Sequence, residues 1–198
     1  REALQGEFAD AWNEAVLKEL RNLETHDVWE WCELPEGRTH TIDATWAWRV
    51  KPTSQGFVDK LKARLCARGF REIYGMDYVE THAPVTTLTT WRACLAEASR
   101  PPWKVHVWDV ASAYLLSEIP EETPIYLRPF EGLKVPDIPH KRPLVLKLKR
   151  CLYGLRSSGR RWNQTIDKKL KELGFRQSWN DPCLYIKQEG QGIIRLNL

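Results

Sequence analysis

The 198 residues predict an α+β fold, on three observations. Helix-like and strand-like periodicities both occur, but they do not alternate strictly along the chain, which disfavours a doubly wound sheet. Ten tryptophans, several of them paired two residues apart, supply bulk for a packed core. No apolar run approaches the length a bilayer requires and there is no signal-peptide pattern, so no membrane association is expected.

The elements follow in order. Phe8, Trp12, Ala15, Val16, Leu20 and Leu23 recur at helical spacing and predict a helix ending near Thr25-His26-Asp27. A strand follows over Val28–Leu34, closed by the turn Pro35-Glu36-Gly37. Trp46, Trp48 and Val50 alternate with Ala47, Arg49 and Lys51, a second strand. After the turn at residues 52–56 comes Leu61–Arg68. There Leu61, Ala63, Leu65 and Ala67 take one face, and Lys62, Arg64, Cys66 and Arg68 the other.

Residues 69–88 read as a loop. A helix starts near Thr89 with Trp91, Cys94, Leu95 and Ala98 inward, and Pro101-Pro102 stops it. Lys104–Asp109 alternates as a strand, Ile125–Leu127 is a short one, and Leu144–Lys149 another. Ser157 or Ser158 can cap a helix striped by Trp162, Ile166, Leu170 and Leu173 and stopped by Gly174. Cys183–Lys187 and Ile193–Leu198 form a final pair of strands around the turn at 188–192.

Charge is segregated. Residues 1–36 hold three basic and ten acidic side chains, 49–71 seven and one, and 141–176 twelve and two. Basic surfaces of that density attract phosphate backbones by counterion release, or they are solvated helix faces. Three aligned cations on the Leu61–Arg68 strand repel one another unless an anion is near. That face is a phosphate clamp or a charge-guarded edge strand. The five scattered cysteines have no zinc or redox spacing and read as small apolar fillers in a reducing compartment.

Asp109 ends an apolar segment and precedes Val-Ala-Ser-Ala-Tyr. A carboxylate held at a strand end, with a backbone carbonyl beside it, suits a hard cation such as Mg²⁺, and a helix cap or turn residue has the same look. Phosphoryl transfer commonly uses two such ions.

Ordered motifs run nearly the whole length. They begin at Ala11-Trp12 and Val28-Trp29, and continue through Lys62-Ala63-Arg64-Leu65-Cys66-Ala67-Arg68-Gly69-Phe70 and Gly75-Met76-Asp77-Tyr78. Glu80-Thr81-His82-Ala83-Pro84-Val85, Asp109-Val110 with Ala113-Tyr114-Leu115, and Ile125-Tyr126-Leu127 follow. Leu152-Tyr153-Gly154-Leu155-Arg156, Arg161-Trp162, Gly174-Phe175 and Asp181-Pro182-Cys183-Leu184-Tyr185 complete the series. In this order the chain resembles the reverse transcriptase of copia-type LTR retrotransposons.

The resemblance implies a polymerase fold of fingers (about 1–100) and palm (about 101–198), with an antiparallel palm sheet backed by helices. It implies that Asp109 and the carbonyl of Val110 bind Mg²⁺ (or Mn²⁺), and that Lys62 and Arg64 approach the nucleotide triphosphate. Tyr114 would exclude a ribose 2′-OH by bulk, or is a plain core aromatic. Arg156, Arg160 and Arg161 would contact template and primer. The implied partners are an RNA/DNA primer–template and dNTPs, with integrase upstream and ribonuclease H downstream in one polyprotein. The implied setting is intracellular, a virus-like particle or the nucleus.

Three departures qualify this. Ser157 stands where the family usually has Gln, Gly159 where it often has Pro, and Ser117 where Gly is usual. The family's paired aspartates follow the strand matching Ile193–Leu198, so the expectation is a domain truncated before that hairpin is complete and inactive alone. A degenerate remnant that binds nucleic acid without catalysis is the alternative.

Overall fold

A computed structural model describes residues 4–198. It is an α+β protein of three helices and three small antiparallel sheets. The chain divides into two compact units, each assembled from two stretches: 1–81 with 114–158, and 82–113 with 159–198.

The first unit is built on α1 (Ala9–Thr25), which buries Trp12 and Leu23 as the helical spacing predicts. Asp27, at φ 50°, ends it and turns the chain into β1 (Trp29–Glu33). β2 (Ala44–Pro52) and β3 (Val58–Ala67) form a hairpin whose apolar face carries Trp46, Trp48, Ala63 and Leu65. Trp12 meets Trp48 edge-to-face at 5.1 Å, which seats α1 on that face. The predicted alternation of β3 is borne out: Ala63, Leu65 and Ala67 are buried.

β4 (Tyr126–Leu127) and β5 (Leu144–Leu148) join β1 in a three-stranded antiparallel sheet ordered β1-β5-β4. One core unites these elements, with Leu23, Val28, Leu65, Leu127, Leu146 and Leu148 fully buried. A core so enclosed fixes its backbone, because any lost methylene leaves a void.

The second unit holds α2 (Leu88–Ala98), nearly all of α3 (Ser158–Glu172), and the sheet β6 (Arg176–Gln177), β7 (Leu184–Glu189), β8 (Gly192–Asn197), in that order. Gly174, at φ 87°, ends α3, and Phe175 N–H donates to Leu170 O. β6 went unread in the sequence because two residues leave no period to detect.

Two expectations are corrected here. Lys104–Asp109 is not a strand. The stretch 103–110 has no regular secondary structure, and Val105, Val107 and Trp108 are exposed. A strand exists only where a neighbour takes its backbone hydrogen bonds, and this stretch has none in β6-β7-β8. The inward stripe of α2 fails likewise: the helix buries none of its residues, and Trp91 and Leu95 are exposed. Ser158 also plays another part than a cap, donating its hydroxyl to Leu152 O.

All five cysteines are free thiols. Among the described residues no helix is long and apolar enough to cross a membrane.

Candidate active site

In an antiparallel pair, directly opposed residues share a face. The register of β2 against β3 sets Arg49 opposite Lys62, Lys51 opposite Lys60 and Ala47 opposite Arg64. Arg49, Lys51, Lys60, Lys62 and Arg64 therefore line one face of the hairpin. Three of them, Arg49, Lys51 and Lys60, lie outside Leu61–Arg68. The crowding has an electrostatic signature. The Lys62 ammonium is held below its ordinary pKa chiefly by Lys51, with burial, Arg64 and Lys60 adding to the effect. A bound anion would relieve that repulsion.

Arg64 is placed by aromatic and acidic neighbours. Its guanidinium carbon lies 5.1 Å from the centroid of the Tyr153 ring. The α1 carboxylate of Glu19 is pushed up by burial and pulled back by the Leu65 N–H and the Arg64 charge. Tyr153 in turn meets Tyr114 at 5.3 Å with the planes 67° apart. Tyr114 sits on a 3-10 turn over Ala113–Leu116, reached through Ser112 at φ 53°, and packs on the core.

The loop carrying Tyr153 is stitched to the end of β3. Ala67 N–H donates to Tyr153 O at 2.8 Å. Gly154 has φ 89°, and a Cβ there would lie 2.2 Å from Ala67 O. A Cβ on Gly69 would lie 2.1 Å from Gly154 O, so both positions require glycine. The buried Glu72 carboxylate accepts the Arg156 backbone N–H at 2.6 Å, and Arg156 Nε donates to Gly69 O at 2.9 Å. Close by in sequence, the buried Asp77 holds its own loop: Arg38 lies at 2.5 Å, His40 Nε2 at 2.9 Å, and Ile73 N–H donates to it at 2.9 Å.

The first unit thus brings Lys62, Arg64, Tyr114 and Arg156 together. Asp109, Val110, Arg160 and Arg161 belong to the second. Asp109 is exposed in the irregular stretch, beside the exposed Val110. Arg160 Nη1 donates to His82 O at 3.2 Å, and Arg161 is buried in the first turn of α3.

Sequence reasoning missed the second unit's chief polar anchor. Asp181, buried, accepts the N–H groups of Thr87 and Cys183, each at 2.9 Å, and so joins the start of α2 to the turn before β7. These bonds, the Thr87 one foremost, hold its carboxyl down to about 2. Tyr185, fully buried, donates to Asp167 Oδ1 at 2.8 Å; burial first and then Asp167 push its phenol up. Asp77 and Asp181 both stand within quoted motifs, which was the available signal, but their hydrogen-bonding roles needed the fold.

Among the described residues, no three His, Cys, Asp or Glu side chains come together as a metal site. Mg²⁺ demands six oxygens in octahedral array. One exposed carboxylate and a neighbouring carbonyl do not make that cage, so the residues present do not by themselves fit a two-metal centre.

Comparison with known proteins points one way. The family described as reverse transcriptase (RNA-dependent DNA polymerase) matches residues 26–198. The chain is similar to the retrovirus-related Pol polyprotein from transposon TNT 1-94 of Nicotiana tabacum, 30% identical over 174 residues, 88% of this chain and 13% of that protein. It is also similar to the Pol polyprotein from transposon RE1 of Arabidopsis thaliana, 29% identical over 194 residues, 98% of this chain and 13% of that protein. A truncated Ty1-A Gag-Pol polyprotein of Saccharomyces cerevisiae is 32% identical over 127 residues, 63% of this chain and 10% of that protein. The chain thus spans about an eighth of the length of the plant polyproteins it matches. No solved structure matches it. With one family covering all but its first helix, the chain belongs to the reverse transcriptase (RNA-dependent DNA polymerase) family.

Proposed function

We propose that this chain is part of the RNA-directed DNA polymerase of a retrotransposon Pol polyprotein, with a fingers-like portion over about 1–100 and a palm-like portion over about 101–198. The observation that carries the reading is the five-cation face of the β2–β3 hairpin, on a chain of this family. Lys62 and Arg64 neutralise the nucleotide triphosphate, and the repulsion of Lys62 by Lys51 first, then by Arg64 and Lys60, makes an anion welcome. Tyr114 stands against the incoming sugar and rejects a ribose 2′-OH by bulk. Arg156 and Arg160 contact the template–primer backbone; Arg161, being buried, is the weaker member of that set.

The reaction is attack of the primer 3′-oxygen on the α-phosphorus of a dNTP, with pyrophosphate leaving. Asp109, with the Val110 carbonyl, would supply one carboxylate to a divalent-metal site. The paired aspartates that the family resemblance implies would supply the others. Integrase and ribonuclease H are the expected neighbours in the parent polyprotein. Binding of nucleic acid without catalysis is the second reading for residues 1–198 alone, favoured by the solitary, exposed Asp109.

Primer extension tests the assignment. Residues 1–198 should give no extension with dNTPs and Mg²⁺. Polymerase in its full Pol context should extend, and Asp109→Asn there should abolish extension while leaving the circular dichroism spectrum unchanged. Extension by the 198-residue chain would contradict its expected inactivity alone, and an active Asp109→Asn polyprotein would remove Asp109 from the metal site.

A further inference from the structure

One aromatic ring touches both residues that the polymerase reading assigns to opposite ends of the nucleotide. The Tyr153 ring carries the Arg64 guanidinium 5.1 Å from its centroid and meets the Tyr114 ring at 5.3 Å. We propose that Tyr153 is a specificity-determining residue, a brace that holds the Tyr114 ring in its sugar-excluding position and anchors Arg64 on the phosphate side. The proposal rests on the polymerase reading, since it presupposes that Tyr114 faces the sugar.

A steric gate works only if it cannot swing aside, and geometry of that kind must be held by a supporting shell. Tyr114 lies in a four-residue 3-10 turn and in no strand. Its carbonyl accepts the Ser117 N–H at 3.0 Å, and its ring packs on the core and on Tyr153. Tyr153 is held through its loop. Its carbonyl accepts the Ala67 N–H, Gly154 beside it has no room for a side chain, and two residues on, Glu72 takes the Arg156 N–H. Glu72 is therefore the positioning residue of the brace: a buried carboxylate accepting a backbone N–H at 2.6 Å ties this loop to the short turn that follows the strand bearing Lys62 and Arg64. Burial pushes the Tyr153 phenol up, so the ring stays neutral beside the cation at physiological pH.

The test measures the affinities of the 198-residue chain for dCTP, CTP and inorganic tripolyphosphate. Tyr153→Phe keeps the ring and should leave all three within about twofold of wild type. Tyr153→Leu removes it and should shrink the dCTP-over-CTP preference about fivefold or more, a change in the ratio that a general loss of structure would not produce. Glu72→Gln keeps the side-chain volume and should narrow the same preference about two- to threefold, with tripolyphosphate affinity unchanged.

A double-mutant cycle on unfolding, with Tyr153→Leu and Tyr114→Leu, should show the rings coupled by about two- to tenfold in the unfolding constant. A wild-type preference for dCTP that survives Tyr153→Leu overturns the brace and leaves the polymerase reading standing. Additive behaviour in the cycle also overturns it. Equal binding of dCTP and CTP by wild type overturns the gate role of Tyr114 and the brace with it, whereas tripolyphosphate binding would still report on Lys62 and Arg64.

Discussion

Leu65 and Val107 both stand in stretches of alternating apolar and polar residues, yet Leu65 is 0% exposed and Val107 92%. The first unit gives β3 a partner on each side of its problem. β2 takes the backbone hydrogen bonds, and α1 and the surrounding core close over the apolar face. The second unit gives 104–109 neither, and Val105, Val107 and Trp108 stay in water. The difference separates two groups among the proposed site residues. Lys62, Arg64 and Tyr114 stand on elements packed on the core, whereas Asp109 lies exposed in a stretch without regular secondary structure.

Substitutions can break or sharpen that contrast. Leu65→Ala should cost about 2–5 kcal/mol in urea unfolding, the loss from a fully enclosed site that cannot collapse. Val107→Ala should change stability by less than about 0.5 kcal/mol. Equal costs would show that the stretch around Val107 is packed in solution.

An intermediate effect is expected at the second unit's buried carboxylate. Asp181→Asn should cost about 1–3 kcal/mol, because the Thr87 and Cys183 N–H groups lose a charged acceptor. The pH dependence has a definite sign. A carboxyl lowered from 3.8 to about 2 adds stability that is present above pH 3.8 and is lost as pH falls through about 2. The gap between wild type and Asp181→Asn should therefore close on acidification through that window; a gap that held constant would mean that charge is not what Asp181 contributes. The smallest effect belongs to Asp109→Asn, which should leave stability within about 0.5 kcal/mol, since the side chain is exposed.

How far the sequence could be read follows the same division. β3 was legible because burying one face forces alternation, and α1 and α3 were legible because their periods are long and their stops, Asp27 and Gly174, take positive φ. Lys104–Asp109 has the identical signature without the structure. Alternation records which face a strand would bury, and says nothing of whether a neighbour exists. The five-cation face was partly legible: Lys62 and Arg64 follow from the predicted strand, but adding Lys60 needs the observed length of β3, and adding Arg49 and Lys51 needs the register. Glu72 and Asp181 were invisible as anchors because the N–H groups they accept, those of Arg156 and Thr87, lie 84 and 94 residues away. Asp109 stood out as a carboxylate closing an apolar alternation, and the resemblance strengthened its metal reading; Tyr114 came from the resemblance alone, as a role and not as a position in space.

The basic hairpin is the centre of the functional account, and the salt dependence of triphosphate binding tests it most directly. The affinity of the 198-residue chain for inorganic tripolyphosphate should fall as salt rises, because added ions screen the five cations. Lys62→Ala should weaken that binding and flatten its salt dependence. Binding that ignores salt, or a salt dependence that Lys62→Ala leaves unchanged, would contradict the assignment of this face to the nucleotide triphosphate.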